Sequence, residues 1–216
     1  PGTGERLQMK GWTIHLNSKL RQTEPEKTTE MLELLDVQLE RVVKVVPAKA
    51  LKQLRAVPIW INPQYEGVRP TAEYHPGAGW LRDNDRDPAM EKAVEITNVS
   101  NFAFENRRMP YVMLHELAHA YHDRILGFDE PAVIAAFKAA RESGGYEKVK
   151  RFNGRETVID KAYALSNHKE YFAESTEAYF GKNDFYPFNR VELKEHDVQM
   201  HDLLGKLWGS KPDRDQ

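Results

Sequence analysis

Five consecutive residues carry the strongest chemical signal in the chain: His115-Glu116-Leu117-Ala118-His119. On a helix, residues four apart stand one turn apart on the same face, so both imidazoles can reach one ion. Imidazole nitrogen is a good donor to zinc, which favours four tetrahedral ligands. Glu116 lies about 100° around the helix from His115, off the line of the two histidines. A carboxylate there can take a proton from a water that zinc has acidified, without occupying a metal position. Val112, Met113, Leu114, Leu117 and Ala118 around it are apolar. Burying His and Glu in such a helix is costly unless they are partnered, which favours a metal over two ordinary helix histidines.

Two histidines do not complete a zinc site, so a third protein ligand is needed. A third His six residues after His119 would fall at Ile125, and the Gly of that spacing at His122, so the metzincin pattern fails at both positions. A later segment offers carboxylates instead. Glu170, Glu174 and Glu177 fall at i, i+4 and i+7, among the apolar Phe172, Ala173, Ala178 and Phe180. A row of carboxylates on a partly buried helix needs cations, and a histidine–zinc cluster supplies them. Glu170 is the expected third ligand. Glu174, one turn on, is expected to accept a hydrogen bond from a ligand imidazole and fix its tautomer. Glu177 is read as an outer carboxylate.

These residues resemble a gluzincin zinc metallopeptidase, and in particular the catalytic domain of the anthrax lethal factor family. That family pairs H-E-x-x-H with a downstream E-[FY]-F-A-E helix, matched here by Glu170-Tyr171-Phe172-Ala173-Glu174. The resemblance makes Glu170 the zinc ligand and Glu174 the carboxylate behind it. It also places a catalytic Tyr seven residues before the ligand Glu, which is Tyr163, whose phenol would donate to the oxyanion of the tetrahedral intermediate. The resemblance covers roughly residues 110–181. In such folds an edge strand pairs with extended substrate; the expected edge is residues 71–82, with 93–97 as the last strand before the active helix. Tyr74 and His75 on that edge are candidate substrate contacts. Nothing resembles the toxin's other domains.

The rest of the chain must position these groups. Residues 11–17 alternate as a strand does, and 57–62 is a short apolar run suited to a buried strand. Residues 71–75 and 79–82 read as strand pieces broken at Pro76-Gly77, and 93–97 as a further strand. Over residues 24–46, Met31, Leu32, Leu35, Leu39, Val42, Val43 and Val46 have helical spacing, predicting a packing helix. Residues 48–56 form a short second helix. Helices are predicted over 109–126, 130–141, 169–180 and 191–208, with a hairpin over 149–158 around Asn153-Gly154. The expectation is therefore an α+β, zincin-like single domain over 1–216: a small mixed sheet with an antiparallel edge strand packed on the H-E-x-x-H helix. Residues 1–108 are its strand-rich part with the packing helix, 109–209 its mostly helical part with the metal site, and 210–216 a loose tail.

The 216 residues include no cysteine, which excludes disulfides, thiolate ligands and a Cys nucleophile; the metal must be held by His, Asp and Glu. A net charge of −2 gives no electrostatic case for nucleic acid. No apolar run reaches the roughly 18 residues of a membrane-spanning helix. The chain begins at Pro1, so its start says nothing of compartment; an extracytoplasmic bacterial protein is the expectation. His122 and His168 are read as structural, Asn183–Phe188 as an aromatic loop that either lines a pocket or caps the core, and Asn98-Val-Ser100 as a weak glycosylation pattern. The expected function is peptide hydrolysis through a zinc-activated water, with a peptide or protein as partner. The competing readings are a non-peptide amidase using the same zinc water, and a zinc-stabilised binding module that no longer cleaves.

Overall fold

The computed structural model describes residues 4–209, so the tail expected over 210–216 lies outside the described residues. The chain forms a mixed α+β fold with one small mixed sheet. Its strands are β1 (Gly4–Met9), β2 (Trp12–Asn17), β3 (Ile59–Ile61), β4 (Ala72–Tyr74) and β5 (Val94–Ile96), in the order β1-β2-β3-β5-β4. The pairs β2–β3 and β3–β5 are parallel, while β1–β2 and β4–β5 are antiparallel. β4 is thus the antiparallel edge strand next to β5. β1 has no counterpart in the sequence reading, because its side chains stay mostly exposed and leave no apolar alternation. It is joined to β2 by Lys10 and Gly11, both at positive φ, the backbone a two-residue hairpin turn requires.

The long helix α2 (Pro25–Val45) follows α1 (Ser18–Thr23) and precedes α3 (Ala48–Leu54). Met31, Leu35, Leu39 and Val42 of α2 are buried at the predicted spacing, and one buried polar residue, Gln38, lies among them. Its Nε2 donates to Asn106 Oδ1 (2.7 Å) and Met109 O, and its Oε1 accepts from Met113 N. The packing helix is thereby locked to the start of the H-E-x-x-H helix.

That helix is shorter than its pattern. The helix predicted over 109–126 is α-helical only as α6 (Val112–Tyr121), and a separate helix that the sequence reading did not assign, α5 (Phe102–Arg108), precedes it. Met109 is extended (φ −118°, ψ 86°) because a residue before proline avoids helical backbone, and Pro110 follows it. α6 is buried on nearly every side and widens into a π-helical turn at His122–Leu126, ending at Gly127. Two other expectations are corrected. Residues 79–82 belong to a short helix, α4 (Ala78–Asp83), since Pro76-Gly77 ends β4 and only Leu81 of the segment needs a core position. Residues 191–208 form two helices, α9 (Arg190–His196) and α10 (Val198–Trp208). The break is Asp197, whose carboxylate caps α10 at Met200 N and accepts from the hydroxyls of Tyr146 and Tyr171. The part up to residue 108 holds more helix than strand, because three of its strands are only three residues long.

Between these lie α7 (Pro131–Ser143), the hairpin β6 (Val149–Phe152)–β7 (Thr157–Asp160), and α8 (His168–Phe180), the carboxylate-bearing helix. Gly154 in the hairpin loop has φ +96°, and a Cβ there would stand 2.7 Å from the Phe104 ring. One continuous apolar core runs from Trp12 on β2 through α2, α6 and α8 to Trp208. Among the described residues no helix is long and apolar enough to cross a membrane.

Candidate metal centre

α6 and α8 pack side by side and bring their polar residues to one point. His115 Nε2 lies 3.1 Å from His119 Nε2 and 3.2 Å from Glu170 Oε2, and His119 Nε2 lies 3.3 Å from the same oxygen. Three ligand atoms bonded tetrahedrally at about 2.0–2.1 Å would stand about 3.3 Å apart, so this spacing fits a small divalent cation at their centre. Asn167 sets the position of Glu170: its Oδ1 accepts from Lys169 N and Glu170 N, capping α8 and starting the helix with the carboxylate in its first turn.

The far side of His115 is also filled. Its Nδ1 lies 2.8 Å from Glu177 Oε1 but 3.8 Å from Glu174 Oε1. The hydrogen bond expected from Glu174 is thus made by Glu177, two turns beyond Glu170. Glu174 accepts from Asn183 Nδ2 instead (3.1 Å). Nδ1–H donation to a carboxylate leaves Nε2 as a lone pair aimed at His119 and Glu170, the tautomer a metal needs. A lone pair facing a carboxylate oxygen at 3.2 Å is repulsive without a positive charge between them. Burial lowers the basicity of His115, but Glu170 and Glu177 outweigh it and hold the ring well above its usual range. Burial lowers His119. Glu170 is pushed up by burial, yet the two histidines bring it below the usual carboxylate range.

Glu116 stands apart from this triangle. Burial pushes its carboxyl up to about 8, opposed by His115 and by the N–H of Tyr74, which donates to Oε2 at 3.0 Å. The alternation of β4 explains that contact. Thr71 and His75 bond to β5, so Ala72 and Tyr74 turn their backbone groups to the free edge. A cleft of about 840 Å³ runs along this edge and reaches His115, Glu116, His119 and Glu170. Tyr163 lines it, half exposed, its phenol made less acidic by burial and by the Glu170 carboxylate.

The two candidate substrate contacts fare differently. Tyr74 lines the cleft, but its hydroxyl is tied to Asp123 Oδ2 at 2.7 Å. His75 is 2 % exposed and is not available to a ligand. Its Nε2 meets Glu95 Oε2 at 2.9 Å, and Glu95 also accepts from Asn62, Tyr65 and Arg86. These partners saturate Glu95, so the grouping of Glu73, His75 and Glu95 is a polar network bracing β4, with His75, Glu95 and Arg86 buried and Glu73 part-exposed at its rim. Of the aromatic loop, Phe185 lines the cleft beneath the Arg151 guanidinium, 4.6 Å from its ring centre, while Arg108 pairs with Asp184 at 2.7 Å.

The sequence reading did not anticipate Asp123, Lys92 or the primary role of Glu177. For Glu177 a signal existed: seven residues return a helix to nearly the same face, so Glu177 lies closer in angle to Glu170 than Glu174 does. No protein-family model, curated protein or solved structure matches the chain.

Proposed function

We propose that this protein is a zinc-dependent metallopeptidase of the gluzincin type, with a zincin-like arrangement of sheet and active helix. The observation that carries the reading is the meeting of three donors, His115, His119 and Glu170, beside a carboxyl, Glu116, that is not among them. Two imidazoles and one carboxylate are one of the donor sets that hold catalytic zinc, which keeps one position open. Zinc bound there would polarise the scissile carbonyl and make a water acidic near neutral pH.

The protein's own groups supply the rest. Glu116 takes the proton of the attacking water and passes it to the leaving amine. The Tyr163 hydroxyl donates to the oxyanion. Glu177 holds the His115 ring so that Nε2 faces the ion. The outward-facing N–H of Ala72, whose carbonyl accepts from the Thr71 hydroxyl, offers an extended peptide a strand to pair with at the edge of β4, which favours a peptide over a small amide.

The test is cleavage of a diverse peptide library, read by mass spectrometry, with the zinc-loaded protein beside Glu116→Ala. Cuts made by the wild type alone support the peptidase. A zinc-loaded wild type that cuts no peptide but hydrolyses small amides moves the assignment to an amidase, and one that hydrolyses neither, to a binding module.

A further inference from the structure

We propose that Tyr74 and Asp123 form a strut that sets the distance between the edge strand and Glu116, making both of them positioning residues for the base. The inference rests on the reading of Glu116 as that base. Tyr74 is held at both ends by one helical segment. Its backbone N–H donates to Glu116 Oε2 at 3.0 Å, and its hydroxyl donates to Asp123 Oδ2 at 2.7 Å. Glu116 and Asp123 are seven residues apart, on one face and about 10 Å apart along the axis.

The sheet cannot do this work alone. The ladder to β5 fixes β4 within the sheet but not its height above α6. On the opposite face, the Glu95 network braces His75 against the sheet and does not reach the helix. Among the described residues the hydrogen bonds from β4 to α6 and its π-helical turn are the two of Tyr74, a residue 8 % exposed and packed in the core. Lys92 reinforces the outer one: its Nζ donates to Asp123 Oδ2 at 2.6 Å, and its backbone N–H donates to His75 O at 2.7 Å, at the end of β4. Asp123 thus gathers the strand, the loop before β5 and the active helix at one nearly buried carboxylate.

A shifted base acts on the chemical step, so the effect belongs in kcat rather than KM. Tyr74→Phe and Asp123→Ala, compared with wild type at equal bound zinc, should each lower kcat about tenfold or more, with KM changed less than about threefold. Because each breaks the same strut, the double variant should fall no further than the lower single. Asp123→Asn, which keeps an acceptor for the hydroxyl, should regain most of the loss. Exchange of the Tyr74 amide with deuterium, followed by NMR, should be slow in wild type and faster in Asp123→Ala. Unchanged kcat in both single variants, additive losses in the double, or equal Tyr74 exchange in wild type and Asp123→Ala would overturn the strut. A zinc-loaded wild type that cleaves no peptide overturns the functional reading alone, and the Tyr74 amide then decides the strut by itself.

Discussion

His115 Nδ1 and Glu177 Oε1 lie 2.8 Å apart, both buried, on the side of the ring away from the proposed ion. This contact fixes which nitrogen of His115 carries a proton, and so which one can bind metal. Losing such a partner typically costs about 10–100-fold in metal affinity. Glu177→Ala should therefore weaken zinc binding by that order in a competitive chelator titration. Glu174→Ala should weaken it less, because its oxygen stands 3.8 Å from the same nitrogen. The reverse ranking would restore Glu174 as the partner.

Acid stability should depend on His122. It is fully buried against Phe128 and Phe172, and neither ring nitrogen has a hydrogen-bond partner among the described residues. Burial, helped by His168 and His119, lowers it to about 3. An unfolded His titrates near 6.5, so between about 6.5 and 3 the unfolded chain binds a proton that the folded chain refuses. Its contribution is present above about 6.5 and lost as pH falls, by up to about 1.4 kcal/mol per pH unit. Relative to His122→Leu, wild type should lose stability in urea titrations run at falling pH; parallel curves would contradict this.

Arg108 neutralises the nearly buried Asp184 at 2.7 Å while also holding Glu105. Removing Arg108 leaves the buried Asp184 with the more distant Arg151, 3.9 Å away, as its counter-charge. Arg108→Ala should cost about 3 kcal/mol in chemical denaturation, and Asp184→Asn in the same chain should recover part of it.

Gly181 ends α8 where the ring of Tyr111, beside the start of α6, leaves no room for a Cβ. Gly181→Ala should destabilise by about 1–3 kcal/mol, and adding Tyr111→Ala should relieve the overlap. Losses that simply add would show that the ring is not the obstacle.

How legible was this in the sequence? Where one face had to be apolar, the pattern was readable: Met31, Leu35, Leu39 and Val42 of α2 are buried as spaced. The H-E-x-x-H helix and the carboxylate helix also lie where their apolar residues put them, with His115, His119 and Glu170 adjacent. Short elements were not readable. β1 exposes most of its side chains, and α4 turns on the single core residue Leu81. Local chemistry overrode periodicity at Pro110, which delays the helix predicted from residue 109 until Val112, and at Asp197, which caps α10. The partners of the site were hidden for a different reason. Whether Glu174 or Glu177 meets His115 depends on how α8 is rotated against α6, and Asp123 meets Tyr74 across 49 residues of chain. His75 reads as an edge residue facing substrate, yet the strand turns it toward Glu95.

The central claim is that His115, His119 and Glu170 hold a catalytic zinc while Glu116 does not. Zinc per chain, measured by mass spectrometry after exhaustive dialysis of wild type, Glu116→Gln and Glu170→Ala, tests it most directly. The account predicts one tightly held zinc in wild type and in Glu116→Gln, and little in Glu170→Ala. Zinc lost from Glu116→Gln, or retained in full by Glu170→Ala, would contradict it.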